Sequence, residues 1–527
     1  MRARITTGMA TVLLLAGCGG AASTTDTGGG EPPPPPPPAT GGRIVDQEAA
    51  VGEFAAPQAQ DGAMSLRGGT TGGSSTGPPP PSHLVDASGP RLTSISPFFD
   101  TGEDALSTFA MDVDTASFTY GRDWIEQGQL PPADTVRPEE FVNYFRYDYP
   151  QPADGQEWSV LVDGAPSPWN PRTHLVRVGL ATGELDPQTR PDATLTFVVD
   201  ISGSMEGQPI TTVKQTLGLL VDRLRPTDRI GIVTYGSSGQ LLLAPTPLSE
   251  PDTIRRAIAE LETGGSTYAE AGLRIGYETA RRHLTPNGVD LVVLASDGVA
   301  NVGETGPEEI LATIRDGVDA GITLLAVGVG GDTGYNDHLM ETLTNTGNGS
   351  SYFVSRQQDA ERLFVDRLES TLVTVAKDAK VQVSFDPQHV TRWRLIGYDN
   401  RDVADDDFRN DGVDAGEVGA GHQVTAMYEV ELADGAAGEL GTVSLRWAHP
   451  KSGEVSELTA PIEVAAVGQA GPGYATAMQA VGLAELLRGS PHLNGWTLAA
   501  LAEQPDDGVD PDLRALIERA AEAWPSP

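Results

Sequence analysis

An α/β fold with a doubly wound, mostly parallel sheet is predicted for residues 190–375, and two observations carry it. Stretches such as "TLTFVVD" (194–200), "VDLVVLASDG" (289–298) and "ITLLAVGVG" (322–330) are apolar on both faces, the pattern of strands covered on either side. Helical stretches separate them, over 209–224, 251–261, 268–283, 307–320, 338–346 and a closing helix over 360–375. Helices between strands provide the crossovers that a parallel sheet needs. "RIGIVTYG" and "QLLLAP", joined by the turn "SSG", add two more strands, and "SSYFVS" another.

The flanks predict smaller units. Residues 94–189 read as an α+β extension. "LSTFAMDVDTASFTYGRDWIEQGQLPP" is a strand, a helix and a proline stop, and "RPEEFVNYFRYDYP" is a short helix. Pro138 suits its first turn, and Glu139 and Glu140 suit its positive end. "EWSVLVDGAPSPW" and "THLVRVGLAT" alternate apolar and polar residues, as half-buried strands do. Residues 376–467 hold five β-type stretches, from "AKVQVSFDP" to "LTAPIEVAA", and predict a small antiparallel sheet or sandwich. Helices over 474–487, 496–502 and 511–523 predict a helical C-terminal tail across 468–527.

The first 93 residues predict no packed structure. Arg2 and Arg4 precede the apolar run "MATVLLLAG" and then Cys18, the single cysteine of the chain. This is the layout of a processed export signal over 1–18. "LAGC" resembles the lipobox of bacterial lipoproteins, which implies lipidation at Cys18, a membrane held through that anchor, and the cell envelope as location. Gly19 is not the aspartate associated with inner-membrane retention, so the resemblance implies the outer membrane. From 19 to 93 the chain is rich in Gly, Ser, Thr and Pro, with two proline runs and few aromatics, a tether too poor in apolar surface to fold. With one cysteine, no intrachain disulfide and no multi-cysteine zinc site is possible. The 35 basic and 73 acidic residues give a net charge of −38, which repels nucleic acid and excludes it as a partner class.

The candidate site gathers at strand ends, where doubly wound sheets bind ligands. "TFVVDISGSMEG" delivers Asp200, Ser202 and Ser204 past one strand, "TGGSTYAEAG" sets Thr267 in a glycine-rich loop, and "VVLASDG" sets Asp297 after another strand. Two carboxylates and three hydroxyls, with no nitrogen or sulfur, suit a hard cation: Mg²⁺, or with less selectivity Mn²⁺ or Ca²⁺. Such a set leaves the ion short of ligands and charge, which a carboxylate from outside would supply. Taken singly, these residues are also ordinary turn and cap residues.

In order and setting, D-x-S-x-S, the loop threonine and the later aspartate resemble the metal-ion-dependent adhesion site of the von Willebrand factor type A (VWA) domain. The resemblance implies hydroxyl ligands at Ser202, Ser204 and Thr267, and carboxylates, often acting through water, at Asp200 and Asp297. It implies an adhesion or protein-binding module rather than an enzyme, with Mg²⁺ engaging an acidic residue of an unidentified envelope protein. It further implies that the closing helix shifts with ligand state. The flanks, around "LSTFAMDVDTASF" and "LIGYDNRDVADDDFRNDGVDAGEVGAGHQVTAMYEV", resemble the extensions of a bacterial lipoprotein family built on this domain.

Other signals weigh less. "DVDTAS" (112–117) has the paired aspartates of a phosphoryl-transfer hydrolase, but its threonine comes too early and it is not at a Rossmann-type strand end, so a turn or helix cap is the expectation for Asp112 and Asp114, with a sixth metal ligand or an interdomain contact as the alternatives. In "DDDFRNDGVDAGEV" an EF-hand register anchored on Gly412 puts Arg409 and Val418 at oxygen-ligand positions, so a solvated acidic loop is expected. In "VGVGGDTG", Thr333 replaces the third glycine of a dinucleotide fingerprint. Neither Ser202 nor Ser204 sits in a G-x-S-x-G nucleophile elbow. The alternative to a metal-dependent binding module is an envelope scaffold with a vestigial metal site.

Overall fold

The computed structural model describes residues 95–524, apart from 112–113, 299–306, 331–336, 400 and 414. The predicted lipobox and tether, Asp112 and Thr333 lie outside the described residues. The N-terminal flank supplies β1 (Phe99–Asp100), β2 (Leu106–Ala110), α1 (Ala116–Glu126), α2 (Pro138–Asn143), β3 (Trp158–Pro166) and β4 (His174–Thr182). Pro138 occupies the first turn of α2, where its missing N–H costs nothing.

The central sheet is built from β5 (Ala193–Asp200), β6 (Arg229–Tyr235), β7 (Gly239–Pro247), β8 (Val289–Ser296), β9 (Ile322–Val329) and β10 (Ser351–Val354). Between these strands run α3 (Gln208–Arg223), α4 (Pro251–Ala259), α5 (Ala269–Arg282), α6 (Pro307–Asp319) and α7 (Asp337–Thr346). The strand order is β10-β9-β8-β5-β6-β7. All neighbours are parallel except β6 and β7, which a short turn joins and so forces into a hairpin. Alternation along β8 fills both sides. Leu291 and Val293 enter the core under α3 and α4, whereas Val292 and Leu294 enter the one under α5, α6 and α7. The doubly wound α/β fold is thus as the apolar runs predict.

The closing helix is different from the prediction. It consists of α8 (Gln357–Glu361), a π-helical turn over Arg362–Asp366 and α9 (Leu368–Leu372). Ala360, Phe364, Leu368 and Leu372 are all buried in the core that also holds Leu217 and Leu220 of α3. A repeat of four is wider than the 3.6 residues of an α-turn, and the wider π-turn absorbs the drift. Val373 is already extended, so the last three residues of the predicted helix are not helical.

The C-terminal flank supplies β11 (Thr374–Phe385), β12 (Val390–Ile396), β13 (Gly416–Gly419), β14 (Gln423–Leu432), β15 (Glu439–Ala448) and β16 (Val455–Glu463). It ends in the helices α10 (Val464–Val467), α11 (Tyr474–Arg488), α12 (Leu498–Ala502) and α13 (Pro511–Ala523). The two flanks share their sheets. One is ordered β1-β12-β14-β4-β3; in the other, β2 joins β11 of the β13-β11-β15-β16 set. Phe109, Trp158 and Val178 from one flank pack with Val381, Tyr428 and Leu445 from the other. The boundaries drawn at 189 and 376 therefore divide the sequence but not the sandwich. The predicted C-terminal helices are present and packed: Tyr474, Val481, Leu513 and Ile517 share a core with Phe118 and Phe141.

Candidate functional site

Strand β5 is buried along its whole length and delivers Asp200 at its C-terminal end, level with Tyr235 of β6. The chain then turns. Met205, fully buried, pins the loop to the core below, and the Ile201 N–H donates to the Tyr235 carbonyl at 2.8 Å. The Ser202 N–H donates to Asp200 Oδ1 at 2.8 Å, and the Ser202 and Ser204 hydroxyls lie 3.0 Å apart. Ser202 is buried and Ser204 exposed, so the pair leads from the sheet end to solvent.

The glycine-rich loop closes on this turn. The Gly264 N–H donates to the Ile201 carbonyl at 2.7 Å, and the Gly203 N–H donates to the Gly265 carbonyl at 3.2 Å. Gly265 has φ of +89°, and a Cβ there would stand 2.5 Å from Ser237 Oγ, so the close approach requires glycine. Two residues on is Thr267, half-buried, and the Tyr268 N–H donates to the Gly236 carbonyl at 2.9 Å. From β8, Ser296 donates its hydroxyl to Asp200 Oδ2 at 3.1 Å and accepts the Gly298 N–H at 3.2 Å. Asp297, between them, is half-buried.

Electrostatics set Asp200 apart. It is fully buried, and its hydrogen-bond donors are neutral; among the described residues no lysine or arginine pairs with it. Burial first, then the Asp297 charge, raise its pKa against the pull of the Ser202 and Ser296 hydrogen bonds. A buried acid facing a second acid, with hydroxyls alongside, calls for a cation, and an all-oxygen set fits a hard divalent ion. Among the described residues no group of three or more His, Cys, Asp or Glu is placed to hold a metal. This candidate depends on its hydroxyls.

The remaining signals resolve as structure. Asp114 is buried and accepts the Ser351 N–H at 2.8 Å and Arg401 Nη2 at 2.9 Å. Ser351 begins a parallel strand, so Asp114 lies at the opposite rim from Asp200, in an interdomain contact. In the acidic stretch Arg409 pairs with Glu457, Asp411 with Arg446, and Val418 is buried in β13; a four-residue strand thus interrupts the predicted loop. Ser296 was not singled out from the sequence. Its position at a strand end beside Asp297 was the available signal.

The sheet order and its crossovers define the central unit as a VWA domain, and the family models agree. Residues 194–366 match the von Willebrand factor type A domain, 92–177 the model described as von Willebrand factor, and 370–437 that described as "Uncharacterized protein YfbK, C-terminal". The chain belongs to the family of "Uncharacterized protein YfbK" of Escherichia coli (strain K12), with which it is 32% identical over 462 residues, 81% of this chain and 80% of that one. It is also 24% identical to "Uncharacterized protein sll0103" of Synechocystis over 54% of this chain and 69% of that one. It is 28% identical to inter-alpha-trypsin inhibitor heavy chain H1 of Sus scrofa over 38% of this chain and 23% of that one. Among solved structures, a von Willebrand factor type A protein from Catenulispora acidiphila aligns over 70% of this chain and 86% of that one, at 15% identity and a TM-score of 0.39.

Proposed function

We propose that this protein is an envelope binding protein, lipid-anchored at Cys18, whose VWA domain holds Mg²⁺ through Asp200, Ser202, Ser204, Thr267 and Asp297 and takes a carboxylate from a partner protein. The observation that carries the reading is the hydrogen-bonded meeting of three distant segments, Gly203 with Gly265 and Ser296 with Asp200. A bound Mg²⁺ would supply positive charge at the mouth of the site. Asp200 and Asp297 would balance it, the hydroxyls would position it, and the buried floor under Ser202 would keep water from one side. Ser204 is exposed beside the buried Ser202, so an outside carboxylate would reach the ion from the solvent side.

The test is capture of envelope proteins by the immobilised chain with and without EDTA, repeated with Asp200→Ala. Binding is expected to require the metal and to be lost in the variant. Capture indifferent to both would favour a scaffold. Release of the protein from membranes by Cys18→Ala tests the anchor separately.

A further inference from the structure

We propose that the acid recognised at the strand-end site is presented by a basic surface: an aspartate or glutamate flanked by lysine or arginine on a partner protein. This rests on the metal-assisted reading above and adds the chemistry of what surrounds the bound carboxylate.

Three described loops meet at the rim: 201–207, 236–239 and 262–268. Their acidic and basic side chains are Glu206 and Glu262 alone, both exposed and neither in an ion pair among the described residues. The other exposed rim positions, including Gly203, Ser204, Gly207, Ser237, Gly264 and Ser266, are small.

These loops carry no lysine or arginine; the nearest along the chain are Arg256 in the last turn of α4, which donates to the Asp252 carbonyl, and Arg274 of α5, which pairs with Glu278. Arg190 and Arg225 are at the opposite end of the sheet, taken by Asp228 and Asp192. Arg281 and Arg282 are in the last turn of α5, a helix that begins at the site edge. Lys214, farther along α3, donates to the Ala259 carbonyl. Arg356 follows β10, three strands from β5, and pairs with Glu126.

A carboxylate approaching this rim meets two uncompensated negative charges on a chain of net charge −38. With the charge of the ion balanced by Asp200 and Asp297, the field met on approach is that of the two glutamates. Lysine or arginine beside the acid reverses the sign of that approach and places a cation opposite Glu206 and Glu262.

The experiment uses the full chain, Mg²⁺ and short fluorescent peptides, read by anisotropy at low ionic strength with and without EDTA. One peptide carries a single aspartate between arginine and lysine, a second carries it between glutamates, and a third replaces the aspartate of the first by asparagine. The basic-flanked peptide is expected to bind about tenfold more tightly than the acid-flanked one, a gap that closes near 1 M salt. Asparagine or EDTA should abolish binding, and Glu206→Lys with Glu262→Lys, both at exposed positions, should reverse the preference. Equal affinity for the two flanks overturns the partner chemistry and leaves the metal site standing. Binding of the basic peptide without its aspartate, or in EDTA, overturns it as mere charge attraction. Ion binding is read separately by titration calorimetry with Mg²⁺: Mg²⁺ bound with no peptide captured refutes the acid ligand, and no Mg²⁺ bound at all refutes the underlying reading and this proposal together.

Discussion

At the scale of single residues, burial decides what each ionisable group does. Asp200 is held by neutral donors and repelled by Asp297, whereas Asp228, equally buried, is held below the usual carboxylate range. Burial would raise Asp228, but the Arg190 guanidinium and the Ala193 N–H outweigh it. One carboxylate is complete within the fold, and the other is not. His422 gives a pH test away from the site. Burial, then the charges of Arg367 and Arg146, lower its pKa from 6.5 to about 3. In the unfolded chain the ring regains its ordinary value, so between pH 6.5 and about 3 the unfolded state binds the extra proton. The stability tied to the neutral ring is complete above 6.5 and is lost as pH falls through that window. His422→Asn is expected to flatten the fall in melting temperature between pH 7 and pH 5; an unchanged slope in a thermal scan would contradict it.

Among the elements, the closing stretch is held on both sides. Its apolar side packs on the core beneath α3, and its polar side is gripped by the N-terminal flank. Arg122 of α1 makes two hydrogen bonds to Asp359, at 2.7 and 2.8 Å, with both side chains nearly inaccessible. Arg367 Nη2 donates to the Tyr144 carbonyl at 2.6 Å, and Arg362 lies 4.8 Å from the Tyr144 ring centroid while pairing with Asp512 of α13. Burial by itself would raise the Asp359 pKa; the Arg122 guanidinium overrides it and holds the carboxyl down. Removing one partner of such a pair leaves a buried charge, at a cost of about 3–5 kcal/mol. Arg122→Ala should lose about that much in urea unfolding, and Arg122→Lys should recover little because an ammonium cannot make the paired contact. A loss within the range of a surface pair would show that the grip carries no stability.

For the described chain as a whole, the flanks and the VWA domain are interlocked. Arg137 of the N-terminal flank pairs with Glu341 of α7 at 2.8 Å, Arg401 of the C-terminal flank reaches Glu341 and Asp114, and Asp114 accepts from the first residue of β10. Cutting out residues 190–375 would sever these ties and the Arg122–Asp359 pair, and would end inside β11. A single severed buried pair costs about 3–5 kcal/mol against a typical total stability of about 5–15 kcal/mol. The excised domain is therefore expected to melt below the full chain and to bind an apolar dye, while residues 95–524 unfold in one calorimetric transition. An excised domain as stable as the full chain would refute the interlock.

The local patterns were enough for much of this protein. Runs apolar on both faces, helices between them, Pro138 at a first turn and oxygen-bearing residues just past strand ends are short-range signals, and each follows from burial or backbone geometry within a few neighbouring residues. They placed the sheet, the helices and the segments that meet at Asp200. What they could not carry was pairing over long separations. That β4 hydrogen-bonds to β14, that α13 shares a core with α1, that Ser296 serves Asp200, and that the closing helix widens at Arg362 all depend on partners more than ninety residues away or on a packing surface. Such contacts leave no periodic trace in the sequence, because only the assembled core determines which apolar faces and which buried charges satisfy each other.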